Sequence, residues 1–267
     1  MVFDSPHSGL DYPPDFEPVA SRAAILTTWD AYVDELWGGV PAAGATLLTA
    51  LFPRAYVDAN RAANDIDPEV LDAPWPHATV RSDYTRRGMG LIRRFAEPDV
   101  PMYARPLSIA AVKHRIGRYH EPYRRALRET LDAVGRRQGV VWHFNCHSMK
   151  SGNGRSNGAA AKRPDVTIGD RDGATASPRV TDWVAKFFRD RGYTVAINHP
   201  YRGGDIVRTQ GDPARGRHSI QIEINRALYM DEATCERGPR FGALRAELTA
   251  FAHAAADFGK SFTANNR

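Results

Sequence analysis

The sequence has 267 residues, of which 42% are hydrophobic and 25% charged, a balance typical of globular proteins and not of disordered or fibrous chains. No stretch approaches the roughly 20 consecutive apolar residues that a membrane helix requires, and two cysteines are too few for a disulfide framework. The net charge of +5 comes from scattered arginine pairs with acidic residues between them, which indicates a solvated surface with a bias toward anionic substrates.

The beginning of the chain and the low cysteine content together indicate a compartment. Met1-Val2-Phe3-Asp4 lacks the basic and then apolar segments of a secretory signal. We therefore expect a soluble protein of the reducing cytoplasm. Neither nucleic acid nor a membrane is expected as a partner, and a homo-oligomer is compatible with the sequence.

Apolar runs and helical spacing predict the elements of the N-terminal half. The predicted segments, in chain order, are a strand over 1–4, a helix over 29–43, strands over 46–51 and 55–59, and long loops over 61–106 with a short hairpin near 89–94. The first strand leads into Ser5-Pro6-His7-Ser8-Gly9, whose proline and glycine indicate a sharp exit from the strand end.

Helices and strands alternate in the C-terminal half. Ser108 is a typical N-cap of a long helix that Pro122 should kink and Gly139 should end. The further predicted segments are a strand over 140–146, a flexible loop over 151–158, a helix from 177 to 192, strands over 193–197 and 219–224, and a helix over 239–258. Without repeats or a dividing linker, this pattern predicts one α/β domain over 1–267 with a mixed, mostly parallel sheet.

The last predicted strand carries an unusual polar face. Alternation places Gln221, Glu223 and Asn225 on one side of the strand and three isoleucines on the other. Polar side chains are costly when they are buried and unpaired. Either this strand lies at an edge of the sheet and faces water, or its end places Glu223 in a cleft.

Two histidines lie where predicted strands end. His147 follows the strand over 140–146, whose polar face also carries His143 and Asn145, and His7 follows the first strand. A strand histidine is often a hydrogen-bonded core residue. The alternative is a catalytic zinc site, which takes three protein ligands and leaves one position open.

A zinc site at these strand ends also needs a carboxylate. Asp30, at the start of the predicted helix, and Asp34, one turn later, are both candidates. Glu223 would then act as the general base without binding the metal. From the residues alone, a contribution of Asp34 or His143 to the metal site stays open.

Two further segments carry groups that bind anions. Asn60-Arg61 offers a neutral donor and a planar guanidinium fork that matches a carboxylate, although a turn with a surface arginine is the alternative. The loop Tyr201-Arg202-Gly203-Gly204-Asp205, with Arg208 nearby, contains glycines that would let the backbone approach a ligand. An ordinary surface loop is the alternative here too.

Taken in series, these segments resemble the N-formylglutamate amidohydrolase family. The matching segments are Ser5–Gly9, Trp29–Leu36, Asp58–Arg61, Arg105–Ser108, Tyr119–Tyr123, Asn145–Met149, Tyr201–Gly204 and Gly211–Glu232, the last with His218, Gln221, Glu223 and Tyr229-Met230. Each is weak by itself, but their order matches the family over most of the chain. The resemblance implies a zinc-carboxypeptidase-like fold, in which a central mixed sheet is flanked by helices.

The resemblance also implies a role for each candidate residue. His7, Asp30 and His147 would hold one zinc ion, with Asp30 preferred over Asp34 because the family's acidic position falls at the head of this helix. Glu223 would be the general base, and Asn60 with Arg61 would bind one substrate carboxylate. Position suggests Arg208 or Arg202 for a second carboxylate, and His218 or a nearby arginine for the oxyanion.

The implied activity is zinc-dependent hydrolysis of the amide bond of N-formyl-L-glutamate, or of a close N-acyl amino acid, in amino-acid catabolism such as histidine degradation. The region 61–105 departs from the enzymes of histidine degradation, so the substrate pocket is expected to differ there. A zinc peptidase or cell-wall amidase on the same scaffold is one alternative. A non-catalytic binding protein for an anionic metabolite is another.

Overall fold

The computed structural model describes residues 1–152 and 163–264. Its strands are β1 (Val2–Ser5), β2 (Thr46–Thr49), β3 (Phe95–Glu97), β4 (Val100–Pro101), β5 (Val141–Met149), β6 (Val166–Gly169), β7 (Val195–Ile197) and β8 (Arg217–Asn225). Its α-helices are α1 (Arg22–Leu26), α2 (Val33–Leu36), α3 (Asp83–Arg86), α4 (Ile109–Arg115), α5 (Glu121–Gln138), α6 (Pro178–Arg189), α7 (Asp205–Gln210) and α8 (Phe241–Ala264). Within these described ranges, no helix has the length and hydropathy needed to cross a membrane.

The chain divides into two compact units. The first unit comprises Met1–Ser5, Asp30–Leu48 and Glu129–Arg267, and the second comprises Pro6–Trp29 and Thr49–Arg128. The six-stranded sheet of the first unit has the order β2-β1-β5-β8-β6-β7. The pairs β1/β5, β5/β8 and β6/β7 are parallel, and β6/β8 is antiparallel. This confirms the predicted α/β class with a mixed, mostly parallel central sheet flanked by helices.

One face of this sheet is apolar and is covered by helices. Phe3 on β1 and Phe144 on β5 have ring centroids 4.9 Å apart. Phe251 of α8 packs edge-on against Phe144 at 5.1 Å and stacks on Phe188 of α6 at 5.5 Å. Such aromatic contacts bury large apolar areas in preferred geometries. Because side chains alternate along a strand, the neighbouring residues of β1 and β5 must point to the opposite face.

The second unit has a separate small core around a two-stranded ladder. Its buried residues include Ala20, Ile25, Ala55, Ala96 and Met102. β3 and β4 pair antiparallel within it. The predicted hairpin therefore lies at 95–101 instead of 89–94, although an isolated antiparallel bridge joins residues 89 and 93.

The predicted helix over 29–43 is only partly present. α2 covers four residues, and a 3-10 turn over Val40–Ala43 follows it. Tyr32, directly before α2, has a φ of +59°. A left-handed residue cannot belong to a continuous right-handed helix. Asp30 therefore lies in an irregular segment before the helix and not at its head.

The predicted strand over 55–59 is wrong. This segment forms turns whose carbonyl groups bond to side chains instead of a neighbouring strand. The Tyr56 carbonyl accepts a hydrogen bond from Arg115 at 3.1 Å, and the Ala59 carbonyl accepts one from Arg124 at 3.2 Å. Strand propensity is overridden here by partners that lie about 60 residues away in the chain.

The long helix predicted from Ser108 is interrupted before Pro122. Ser108 caps α4 by accepting a hydrogen bond from the Ala111 amide, as expected. A π-helical turn over Ile116–His120 then connects α4 to α5, in which Pro122 is the second residue. The break thus takes the form of a π turn before the proline.

The other predicted segments fall as follows. The strands predicted over 1–4, 46–51, 140–146, 193–197 and 219–224 correspond to β1, β2, β5, β7 and β8, and the helices predicted from 177 and over 239–258 correspond to α6 and α8. The sequence patterns missed α1, α3, α7 and β6. Most of the loop predicted over 151–158 lies outside the described residues.

Candidate active site

Polar side chains of three strands line the face of the sheet opposite the aromatic core. The parallel registers pair Asp4 with Asn145, Asn145 with Gln221, and His147 with Glu223. All five residues are buried. The alternative that β8 is an exposed edge strand is wrong, because β8 lies between β5 and β6 inside the sheet. Its polar face belongs to a buried polar row that crosses the sheet.

The end of this row around Asp4 and His143 is fully hydrogen-bonded. His143 has Nδ1 2.7 Å from the Ser219 hydroxyl and Nε2 2.8 Å from Oδ1 of Asp4. Asn145 donates from Nδ2 to the same Asp4 oxygen at 2.8 Å. Buried polar groups are stable only when they are paired in this way. Since both ring nitrogens of His143 have protein partners, His143 is a hydrogen-bonded core histidine.

The row fixes the tautomer of His147. Because Nδ2 of Asn145 donates to the Asp4 carboxylate, the Asn145 amide oxygen is the atom that faces His147, at 2.7 Å from Nε2. Nε2 must therefore carry a hydrogen, and in the neutral ring that a metal ligand requires the lone pair is on Nδ1. Nδ1 lies 2.8 Å from Oδ2 of Asp30.

His7 is oriented by a carboxylate in the same manner. Its Nε2 lies 2.7 Å from Oδ1 of Asp58, which is fully buried. Burial alone would raise the pKa of Asp58, but the charges of Arg54, His7 and Arg61 outweigh it and hold that pKa well below its ordinary value. An ionised Asp58 accepts the Nε2 hydrogen of His7, and in the neutral ring that a metal ligand requires the lone pair is therefore on Nδ1.

His7, Asp30 and His147 form a group that could hold a metal ion. Each offers one ligand atom, and these atoms lie within 4.8 Å of one another. All three residues are buried, at 2% exposure each. Two imidazoles and a carboxylate are a zinc donor set that leaves one coordination position open. Histidine ligands bonded through their second nitrogen to a carboxylate or an amide oxygen are typical of metal sites.

The grouping of these three residues agrees with the sequence prediction. Across the described part of the chain, no other group of His, Cys, Asp or Glu residues has this spacing. Asp34 and His143 do not belong to it. Asp34 instead accepts a hydrogen bond from the Glu35 amide at 3.0 Å, at the start of α2.

Glu223 lies beside the metal-binding group without belonging to it. Gln221 donates from Nε2 to Oε1 of Glu223 at 2.8 Å and accepts the Gly204 amide hydrogen at 2.7 Å. The glycine loop over 201–204 is thus bonded to the residue that orients Glu223. The backbone also approaches closely there, since a Cβ on Gly169 would meet the Arg202–Gly203 peptide at 2.7 Å.

Arg61 is buried and held on several sides within the second unit. Its guanidinium carbon lies 3.9 Å from the centre of the Tyr84 ring. Its Nε donates to the Met89 carbonyl at 3.2 Å, and Nη1 donates to the carbonyl of Asn60 at 3.0 Å. His120 bonds the Arg61 carbonyl at 2.8 Å. Asn60 and Arg61 are therefore buried residues, and the alternative of a surface arginine is wrong.

Three other candidates are not brought into the buried row. Arg202 and Arg208 are more than half exposed and form ion pairs with Asp172 at 2.6 Å and Asp205 at 2.5 Å. His218 is five residues from Glu223 on β8, so the two side chains point to opposite faces. Its ring packs 5.4 Å from Trp142 on the apolar side. This corrects the predicted place of His218 in the site.

Arg226 is a buried site residue that the sequence patterns did not identify. It starts a 3-10 turn directly after β8 and is 6% exposed. Its Nη2 lies 3.3 Å from Oδ1 of Asp30, and its Nε donates to the Ser148 hydroxyl at 3.0 Å. The sequence did contain a signal for Arg226, because this residue lies three positions after Glu223, inside the matched segment 211–232.

Comparisons with known proteins identify the family of the chain. The sequence model of the N-formylglutamate amidohydrolase family matches residues 1–230. The chain belongs to this family. The crystal structure of N-formylglutamate amidohydrolase from Ralstonia eutropha JMP134 matches it with a TM-score of 0.92 and 42% identity, over 97% of this chain and 94% of that one.

More distant relatives extend the comparison. The N-formylglutamate deformylases of Pseudomonas putida and Pseudomonas aeruginosa are each 24% identical, over 87% of this chain and 82% of theirs. A protein from Agrobacterium tumefaciens, 17% identical over 98% of this chain and 90% of that one, shares the fold with a TM-score of 0.67. The family assignment made from the sequence motifs is confirmed, and with it the class of hydrolases that act on amide bonds.

Proposed function

We propose that this chain is a metal-dependent amidohydrolase that cleaves N-formyl-L-glutamate, or a close N-acyl amino acid. The observation that carries the proposal is the convergence of His7, Asp30 and His147, with Glu223 beside His147 on the neighbouring strand. Relatives named N-formylglutamate deformylase support the substrate. A cytoplasmic role in amino-acid catabolism, including histidine degradation, and the relation to zinc carboxypeptidases are parts of the same proposal.

The metal-binding group fits one zinc ion. His7 and His147 would bind it through Nδ1, because their Nε2 atoms face Asp58 and Asn145. The Asp30 carboxylate would complete the protein ligands. An ion held in such a site polarises the amide carbonyl and lowers the pKa of a water molecule.

Glu223 is the residue proposed to move the proton. Its carboxylate is buried, oriented by Gln221, and sits on the strand next to His147. It accepts a proton from the water that attacks the formyl carbon. When the C–N bond breaks, Glu223 delivers that proton to the leaving amine. Water is consumed, and formate and glutamate are released.

The positive net charge of the chain is proposed to favour an anionic substrate, which arginines would bind. Asn60 and Arg61 are proposed to bind one carboxylate of the substrate, which is the role that the family resemblance implies. The fork of Arg61 is fixed by Tyr84 and Met89, so little side-chain freedom remains to be lost on binding. Arg202 or Arg208 remains the proposed partner of the second carboxylate.

The test is formate release from N-formyl-L-glutamate by zinc-loaded protein. We expect turnover by the wild type and a fall in kcat of about 10²- to 10⁴-fold in Glu223→Gln, with zinc still bound. Glu247→Gln, at a glutamate that bonds Tyr193 instead, is the matched control and should keep full activity. Full activity after removal of zinc by a chelator would contradict the proposal. If the protein hydrolysed a different N-acyl amino acid and not N-formyl-L-glutamate, the proposed reaction would stand and the proposed substrate would change.

A further inference from the structure

Arg226 connects the residues that surround His147. Its Nη2 contacts Oδ1 of Asp30 at 3.3 Å, while Oδ2 of the same carboxylate faces Nδ1 of His147 at 2.8 Å. Its Nε donates to the hydroxyl of Ser148, the residue after His147, at 3.0 Å. One guanidinium thus bridges a candidate metal ligand and the strand that carries another.

We propose that Arg226 is a positioning residue that fixes the Asp30 carboxylate for metal binding, an inference that rests on the proposed function. Asp30 lies outside any helix or strand, so its backbone gets little support from regular hydrogen bonds. With Arg226 on Oδ1, rotation of the carboxylate would break an ion pair whose two members are 2% and 6% exposed. Breaking a buried pair is strongly unfavourable, and this holds Oδ2 toward His147.

The arrangement requires an arginine because two acceptors must be reached at once. The guanidinium presents separate N–H groups in a rigid plane, whereas a lysine ammonium is a single point charge on a flexible chain. Ser148 takes one of these N–H groups, which aligns the plane with Asp30. Because Nε and Nη2 are turned to Ser148 and Asp30, Arg226 acts through Asp30.

Charge and geometry make opposite predictions for variants of this residue. A positive charge next to a cation site weakens cation binding, so a purely electrostatic role predicts tighter zinc binding when Arg226 is neutralised. A positioning role predicts weaker binding when the fork is lost, even if the charge is kept. Loss of a group that orients a metal ligand costs about 10- to 100-fold in affinity.

The experiment measures zinc affinity of the metal-free protein by competition with a chromophoric chelator. We expect Arg226→Gln and Arg226→Lys both to bind zinc about 10- to 100-fold more weakly than the wild type. The absorption spectrum of the Co²⁺-loaded protein should shift in both variants, because the ligand geometry changes. Arg93→Gln removes another buried arginine, one that bonds the Phe95 carbonyl, and should leave affinity and spectrum unchanged.

The outcomes separate this inference from the proposed function. Wild-type affinity and spectrum in both Arg226 variants, or tighter binding in Arg226→Gln, would overturn the positioning role while leaving the metal centre intact. Absence of zinc binding by the wild type would overturn the proposed function itself. If Arg226→Gln fails to fold by circular dichroism, Ser148→Ala replaces it, and we expect the same direction with a smaller loss because the Asp30 contact is kept.

Discussion

Glu223 is the register partner of His147 across the parallel strands β5 and β8. Partners in adjacent parallel strands lie about 4.8 Å apart and point to the same face. The candidate base and one candidate metal ligand are therefore held side by side by the backbone ladder of the sheet, and no loop has to move to bring them together. Such rigid support is what a site needs when its groups must be oriented before the substrate arrives.

The choice between Asp30 and Asp34 as metal ligand can be tested with a matched pair of variants. Asp30→Asn should lose most of the bound zinc, because a neutral amide replaces a charged ligand. Asp34→Asn should keep it, since Asp34 bonds the start of α2. Metal content per chain, measured by atomic emission after dialysis, decides between them. Loss of zinc in Asp34→Asn alone would reverse the assignment.

Asp58 should matter for metal affinity without binding the metal. We expect Asp58→Asn to weaken zinc binding about 10- to 100-fold, since His7 loses the carboxylate that orients it. The free energy of unfolding should also fall, by about 3 kcal/mol, because Arg54 and Arg61 lose their buried counter-charge.

The control for Asp58 is Asp132→Asn, which removes a partly exposed partner of Arg217. It should change the free energy of unfolding by less than about 1 kcal/mol and leave the zinc affinity as in the wild type. Urea unfolding and chelator competition measure the two quantities. Equal effects in the two variants would contradict the role given to Asp58.

Gly9, two residues after His7, is required by close packing. A Cβ at this position would overlap the carbonyl group of Leu51, which is backbone and cannot rotate away. Gly9→Ala should therefore lower the melting temperature. Gly117→Ala is the control, because nothing lies within 4 Å of a Cβ there and alanine favours a helical turn. An unchanged melting temperature in Gly9→Ala would show that this segment can shift to make room for the added Cβ.

Burial lowers the pKa of His218. The folded state therefore binds the proton more weakly than the unfolded state, in which the pKa is near 6.5. The stabilisation is present above that value and is lost as the pH falls below it, because the unfolded state then takes up the proton. Protonation would also remove the Nδ1 acceptor of the Ser177 amide.

Urea unfolding of the metal-free protein at about pH 7.5 and 5.5 tests this pH dependence. His218→Gln should show a smaller drop in the free energy of unfolding than the wild type. His253→Gln, at an exposed position on α8, should keep the wild-type drop. If the free energy of unfolding of His218→Gln fell as far as that of the wild type, the pH dependence would come from other groups.

Local sequence patterns predicted a large part of this protein. Alternation along β5 and β8 separated the polar from the apolar face, because the period of a strand depends only on the residues of that strand. The motif Ser5–Gly9 marked the end of β1 by its proline and glycine. The strand predicted over 140–146 instead continues through His147 to Met149, so His147 lies inside β5. The series of motifs was enough to identify the family. The strand predicted over 55–59 is wrong because the carbonyl groups of this segment bond to distant side chains, which composition does not reveal.

What the tertiary structure decided is which distant residues meet. Asp4 bonds Asn145 across 141 residues, His147 faces Asp30 across 117, and Arg226 reaches Asp30 across 196. No local pattern contains these pairs, because they depend on the order and register of strands in the sheet. That order buried the polar face of β8, and the tertiary packing brought Asp30, not Asp34, to His147. The sequence by itself determined most strands, the two longest C-terminal helices and the chemical groups, and the tertiary packing determined which groups share one site.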